Sequence, residues 1–297
     1  MNVIIVHGGA GDIGCGPPRL EPLEKAALAG CGMLEKSPLD AVERVVMALE
    51  EDPLFNAGYG SVLNLDGVAE MDAAVMDGAS GGCGAVTAIR EVRNPVCVAR
   101  RVMEETPHVV LAGDGAMRFA RGKGFDYFDP VMEKQRDAWK KAVEARERGE
   151  ETPACAFTGL SPAHDTVGGI AVGRGRVVAA SSTGGVMLKL PGRVGDTGTI
   201  GAGIYATSRG AAVCTGLGEV FIRLNIAAWA VNLLAQGVGV QEAARAAIRR
   251  LAGTDATGGI LVADAGGNTA AVYNSAAYPV VLIVDGQPAR EFIPEKI

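Results

Sequence analysis

Apolar and polar positions alternate along this chain in two rhythms. Val3-Ile4-Ile5-Val6 is a continuous apolar run that stops at His7-Gly8, which predicts a buried strand. Apolar residues then recur at helical spacing over 20–35 and again over Pro38–Glu50. The second helix carries its own start signal: Ser37 as cap, Pro38 in the first turn and Asp40 three residues after the cap. Short strands are predicted at 70–75 and 84–90, followed by helices at Pro95–Glu105 and 114–121. In the second half, β-rich runs at 167–172 and 176–182 are separated by Gly173-Arg174-Gly175, and runs at 259–263 and Thr269–Tyr273 by a similar glycine turn. Turns this short join antiparallel neighbours, because a parallel crossover needs about a dozen residues or more. Helices at 218–235 and 240–251 lie between these hairpins, and Val280–Val284 closes the series as a strand. Strands grouped apart from helices predict an α+β layered fold.

One segment breaks the rhythm. From 133 to 151, 12 of 19 residues are charged and apolar periodicity is thin, and the stretch runs on into Thr152-Pro153-Ala154 and Ser161-Pro162-Ala163. It reads as an exposed helix with a mobile linker over about 133–165. The formal charge is −9 over residues 1–165 and +3 over 166–297, as in two complementary pieces of one core.

Composition narrows the function classes. The 297 residues are 48% hydrophobic and 21% charged, enough for a full core. Aromatics are 5% and the net charge is −6, which disfavours a nucleic-acid surface of basic patches and stacking rings. The longest apolar run, Ile226–Ala235, is about half a membrane span. The first residues have neither a basic region nor a long apolar segment, so no secretory signal is expected. Six cysteines without a CxxC pair read as small buried residues of a cytoplasmic protein. Glycine is unusual: its 42 residues are about 14% of the chain, roughly twice the average.

The glycines first suggest a nucleotide. Gly9-Ala10-Gly11-Asp12-Ile13-Gly14 is a literal GxGxxG directly after a strand. A dinucleotide loop must open a helix onto the pyrophosphate. Here Pro17-Pro18 follows, and the pair is expected to block that helix. His7, His108 and His164 are too scattered for a metal cluster, and no GxSxG elbow is present. The second half offers a different chemistry: Asp165-Thr166-Val167-Gly168-Gly169, Ser181-Ser182-Thr183-Gly184-Gly185, Pro191-Gly192-Arg193-Val194-Gly195-Asp196 and Cys214-Thr215-Gly216-Leu217-Gly218-Glu219. Threonines at strand ends, each close to glycine, can bring hydroxyls and bare backbone N–H groups to one place. Any one segment taken alone also reads as strand-to-turn punctuation.

Together, and in this order, these segments resemble the plant-type asparaginase or isoaspartyl peptidase family of N-terminal-nucleophile hydrolases, which includes the aspartylglucosaminidases. The resemblance also takes in His7-Gly8-Gly9-Ala10-Gly11, residues 49–61, Glu70-Met71-Asp72-Ala73, Arg93-Asn94-Pro95-Val96 and Thr257-Gly258-Gly259, and so covers almost the whole chain. It implies a four-layer αββα sandwich with two mainly antiparallel sheets in a single domain. It also implies self-cleavage between Asp165 and Thr166, giving an α subunit (1–165) and a β subunit (166–297), assembled as a dimer of αβ heterodimers. The logic is chemical. A threonine hydroxyl is a poor nucleophile, but a freed α-amine with a pKa of about 8 is an adjacent base.

By matching position, Thr166 is the implied nucleophile and Thr183 orients it. Thr215 and the backbone N–H of Gly216 form the implied oxyanion hole, with donors aimed where charge develops. Arg193, Asp196, Gly216 and Gly218 surround the substrate, with Arg193 on the α-carboxylate and Asp196 on the α-ammonium of a zwitterion. The carbonyls of Leu49, Glu50, Asp52, Phe55, Ala57 and Tyr59 match the family's structural sodium loop, and no catalytic cofactor is implied. Where the family commonly has Gly-Asp-Ser-Pro this chain has Gly195-Asp196-Thr197-Gly198, and Val186-Met187-Leu188 replaces polar residues. The leaving group therefore stays open among ammonia, an amino acid and a glycosylamine.

Overall fold

The computed structural model describes residues 1–11, 17–150 and 164–297. The part of the predicted linker at 151–163 and the end of the glycine loop at 12–16, with Cys15 and Cys155, lie outside the described residues.

Two sheets form the centre. The larger has the order β12 (Gln287–Pro288), β11 (Val280–Val284), β1 (Val3–Ala10), β5 (His164–Gly173), β6 (Arg176–Thr183), β2 (Met71–Asp77), β3 (Cys83–Ile89) and β4 (Val110–Ala112). All its neighbours are antiparallel except β3 and β4. The smaller has the order β13 (Glu295–Lys296), β10 (Thr269–Tyr273), β9 (Gly258–Asp264), β8 (Gly210–Gly216) and β7 (Ile204–Thr207), antiparallel except for the pair β10 and β13.

The period-two alternation sorts side chains into three cores. Ile4, Val6, Ala73, Val75, Val178 and Ala180 face α1 (Pro17–Leu34), α2 (Pro38–Glu50) and α3 (Pro95–Glu105). Their neighbours Val3, Ile5, Ala74, Ala179 and Val177 face the smaller sheet, meeting Ile204, Ala211, Val213, Leu261 and Ala263. The outer side of that sheet, through Ala212, Cys214, Ile260 and Val262, packs on α7 (Ile226–Ala235) and α8 (Val240–Arg249). The result is the four-layer αββα sandwich. Alanines between the sheets let the layers approach closely. Gly168 does the same, since a methyl group there would lie 2.5 Å from Val213 Cγ1.

Several boundaries differ from the sequence reading, each for a physical reason. The helix predicted over 218–235 is two, α6 (Gly218–Leu224) and α7, bent by 41°. Asn225 joins them in the left-handed region, at φ 49° and ψ 53°, which asparagine tolerates while apolar spacing continues through it. Pro17 and Pro18 do not block a helix; they open α1, where a missing N–H costs nothing because first-turn donors lack partners anyway. The dinucleotide reading fails instead on topology, because β1 is antiparallel to both neighbours and no βαβ unit surrounds it. The charged stretch forms α5 (Glu133–Glu147), which follows α4 (Gly113–Gly122) and buries none of its residues. Cys214 is buried, whereas Cys31, Cys83 and Cys97 are only half-buried. No single helix among the described residues is long and apolar enough to cross a membrane.

Candidate active site

Two of the predicted threonines, Thr166 and Thr183, meet at one end of the larger sheet, and Thr215 lies near the end of β8 in the smaller one. Strands β5 and β6 pair Val167 with Ser182, which leaves Thr166 and Thr183 as the next cross-strand neighbours. Their hydroxyls are 3.0 Å apart and both residues are buried, at 7% and 4% exposure. Thr166 Oγ1–H donates to Thr183 Oγ1, which also accepts the N–H of Gly185 at 3.0 Å, so Thr183 orients the Thr166 hydroxyl.

A bulge marks the same point. Strand β1 pairs Gly8 with Val167 but Ala10 with His164, so Asp165 and Thr166 together oppose Gly9 alone. The extra residue bends the strand locally and takes the Asp165–Thr166 peptide out of the regular ladder. Gly9 lies at φ 96°, a conformation open to glycine. His7, fully buried in the same strand, accepts the Gly9 N–H on Nδ1 at 3.3 Å. Burial pushes its pKa down to about 3, against the opposing pull of the Thr166 backbone. A ring held that far down stays uncharged at physiological pH and is a weak base.

A second bulge, between β2 and β3, places Asp72. Met71 faces Ile89 while Ala73 faces Val86, which leaves Asp72 opposite two residues of β3. Its Oδ1 accepts the bulged N–H of Ala88 at 2.9 Å, and its Oδ2 reaches Gly195 N–H at 3.1 Å. Asp72 is also the cross-strand partner of Thr183. One buried carboxylate therefore connects the strand of Thr183 to the loop of Arg193. Burial raises its pKa, and the Lys189 ammonium opposes that shift.

Arg193 and Asp196 lie together, under Gly218. Arg193 forms a bidentate pair with Glu219, at 2.8 Å for both Nε–Oε1 and Nη2–Oε2. Burial works to lower the pKa of Arg193, and the hydrogen bonds from Glu219 outweigh it. Asp196 is 5% exposed, and its Oδ2 has no hydrogen-bond partner among the described residues. Burial lifts its pKa to about 7, with the Arg193 charge pulling the other way. Gly218 sits over this pair: a methyl group there would be 3.0 Å from Asp196 Oδ1 and 3.1 Å from Arg193 Nη2. Thr215 and Gly216 end β8 and lead directly into Gly218, and the loop is fastened to β8 by Cys214 N–H on Gly203 O at 2.8 Å.

Sequence reasoning missed the residues that hold these parts. Asn56 Nδ2 donates to Gly185 O at 2.7 Å, and Asn56 O accepts Gly184 N–H at 2.8 Å. Gly184 is required, because a methyl group there would collide with Asn56 Oδ1 and lie 2.7 Å from Ser61 Cβ. Lys189, buried, donates to Glu70 O at 2.6 Å, while Glu70 Oε2 takes Gly192 N–H at 2.8 Å. Glu70, Asp72 and Asn56 fall in segments that the family resemblance includes, but local pattern there gives no sign of these distant contacts.

The loop matched to the family's sodium site follows the C-terminus of α2. The carbonyls of Asp52 and Ala57 each accept one backbone N–H, which leaves a lone pair on each oxygen, while that of Leu49 accepts from Glu51 and Asp52. A methyl group at Gly58 would collide with Glu50 O, and one at Gly60 with Phe55 O. Glycines thus leave a cradle walled by carbonyl oxygens, and an all-oxygen donor set suits a hard cation. The Glu50 side chain is separate: burial raises its pKa to about 8, and it accepts from Asn94 Nδ2 at 3.2 Å and Val96 N at 3.0 Å.

A sequence model described as "Asparaginase" matches residues 1–287. The plant-type L-asparaginase of Pyrococcus abyssi is 45% identical over 98% of this chain and 99% of its own length. The isoaspartyl peptidase/L-asparaginase of Mus musculus is 40% identical over 96% and 89%, and the isoaspartyl peptidase of Escherichia coli 40% over 92% and 90%. A match of this extent, on a fold and a threonine pair of this geometry, makes the chain a member of the asparaginase family.

Proposed function

We propose that this chain is a self-processing hydrolase of β-aspartyl amides, acting on L-asparagine and on isoaspartyl dipeptides. The observation that carries the reading is the 3.0 Å approach of Thr166 Oγ1 to Thr183 Oγ1 at the bulge where Asp165 meets Thr166. The relatives' names, L-asparaginase and isoaspartyl peptidase, agree with it.

In processing, Thr166 Oγ1 attacks the Asp165 carbonyl carbon, the peptide C–N bond breaks, and the nitrogen leaves as an amine. Water then hydrolyses the resulting ester, which frees the Thr166 hydroxyl and a carboxylate on Asp165. The new α-amine is the base that the intact amide could not be. It takes the Oγ1 proton as Oγ1 attacks the substrate's side-chain amide carbon. Thr215 Oγ1–H and Gly216 N–H stabilise the oxyanion, and Thr183 keeps Thr166 in the reactive rotamer. The amine returns the proton to the leaving nitrogen, and water clears the acyl-enzyme.

The Arg193 fork binds the α-carboxylate, with Glu219 holding it flat from behind. The unpartnered Oδ2 of Asp196 takes the α-ammonium, and Gly216 and Gly218 leave room for both. The carbonyls of Leu49, Glu50, Asp52, Phe55, Ala57 and Tyr59 hold a structural sodium ion, which fixes the loop that carries Asn56. The mature protein is a cytoplasmic dimer of αβ heterodimers.

The test is an activity panel on the processed protein, comparing L-asparagine, an isoaspartyl dipeptide and a glycosylasparagine. Ammonia and free amino acid are expected from the first two. Turnover of the glycosylasparagine alone would replace this reading by the glycan-releasing one. Thr166→Ala should abolish both cleavage and ammonia release.

A further inference from the structure

Helix α5 is an unusual appendage. It buries none of its residues, yet it is aligned by two side chains one turn apart. Gln135 Nε2 donates to Gly60 O at 2.8 Å and Trp139 Nε1 donates to Asn64 O at 2.8 Å. The indole also lies over Gly67, where a methyl group would be 3.2 Å from Trp139 Cζ2. Upstream of the helix, Phe128 is pinned between Arg93, 4.1 Å from its ring centre, and Tyr59, 5.9 Å ring to ring.

The loop that α5 grips in turn grips the substrate segment. Leu188 N–H donates to Leu63 O at 2.8 Å, and Leu65 N–H to Lys189 O at 2.9 Å. The two hydrogen bonds of Asn56 to Gly184 and Gly185 continue the same contact. The turn at 64–68 is itself tight, with Asn64 Oδ1 accepting Asp66 N–H at 2.9 Å and Val68 N–H at 3.0 Å. A chain of hydrogen bonds therefore runs from α5, through residues 60–68, to residues 184–189, which lead directly to Arg193. By contrast, Thr183 is held within the sheet by its pairing with Asp72.

We infer that α5 remains docked after cleavage and that Gln135 and Trp139 are positioning residues for substrate binding, acting through residues 60–68 on the segment between Thr183 and Arg193. The tail of the α subunit would then be part of the specificity apparatus up to α5 and a spacer only beyond it. This rests on the hydrolase reading for its kinetic arm and not for its structural arm.

The test uses the full-length chain, allowed to process, with Gln135→Ala and Trp139→Phe combined. Loss of two hydrogen bonds is expected to raise KM for L-asparagine about fivefold, with kcat and the extent of cleavage within about twofold. Hydrogen exchange should quicken in 60–68 and 184–190 and stay unchanged in β5 and β6. Trp139→Phe alone keeps a ring against Gly67 and should shift KM about twofold in the same direction, which covers the case in which the double variant fails to fold. Unchanged KM and unchanged exchange would overturn the inference, as would equal losses in KM, kcat and cleavage. If the processed wild-type protein hydrolyses none of the panel substrates, the function reading fails while the exchange measurement still decides the role of α5.

Discussion

The proposed nucleophile corner and the proposed substrate loop are neighbours built on opposite plans. Thr166 and Thr183 stand on adjacent antiparallel strands and meet through two neutral hydroxyls. Arg193 and Asp196 stand in a segment without regular structure, which is held by buried charge: Asp72 on Gly195 N–H, Lys189 on Glu70 O and Glu219 on Arg193. A sheet can fix a reacting atom within tenths of an ångström at no electrostatic cost. A loop that must accept a zwitterion needs charges, and charges in a buried place need partners of their own. Chemistry and recognition can accordingly be damaged separately.

The largest separable effect is expected at the nucleophile. Thr183→Val keeps the shape and removes the hydroxyl, so kcat should fall about a hundredfold or more and cleavage should slow, with KM changed little. Rapid-quench kinetics and the fragment ratio on a gel read both. On the loop, Arg193→Lys keeps the charge but loses the two-pronged grip. We expect about a hundredfold loss in kcat/KM, mostly through KM, while cleavage proceeds as in wild type. A variant that lost cleavage and KM together would erase the contrast.

A pH measurement sharpens the contrast further. Asp196 has its pKa raised to about 7 in the folded protein by burial, against 3.8 for the ordinary group. A raised carboxyl pKa stabilises the fold below the unfolded value and loses that contribution as pH rises through the folded value. Between pH 5 and pH 8 this amounts to about 2.6 kcal/mol at most. Asp196→Asn should therefore gain stability relative to wild type as pH goes from 5 to 8, read as a difference in Tm that grows with pH. A difference constant with pH would mean that Asp196 is not buried as described. The smallest effect belongs outside both regions. Ser37 Oγ accepts Asp40 N–H at 3.1 Å as the cap of α2, and Ser37→Ala should cost about 1 kcal/mol of stability with kinetics unchanged.

Part of this division was legible in the sequence. The strands of Thr166 and Thr183 announce themselves by apolar runs around a glycine turn, and the layered α+β class follows from their hairpin spacing. Strand β8, which carries Thr215, does not: Gly210-Ala211-Ala212-Val213 has low strand propensity, and only packing between two layers makes it a strand. Asn225 is similarly hidden, because a left-handed residue inside an apolar helical pattern leaves the periodicity intact. The tethers of the loop were the least legible part. Asp72 meets Gly195 across 123 positions, Lys189 meets Glu70 across 119 and Asn56 meets Gly185 across 129. Local pattern carries no information on such distances. Spacing did place Arg193 and Asp196 side by side, but it carried no sign that Glu219, from the next element, holds Arg193.

The central claim is that a cut before Thr166 creates the nucleophile's base. It is tested most directly by following intact mass and ammonia release from L-asparagine on the same freshly made sample. The account predicts fragments 1–165 and 166–297, with activity that rises in proportion to their appearance. Ammonia release at full rate by an uncut chain, or a complete cut with no gain in activity, would contradict it.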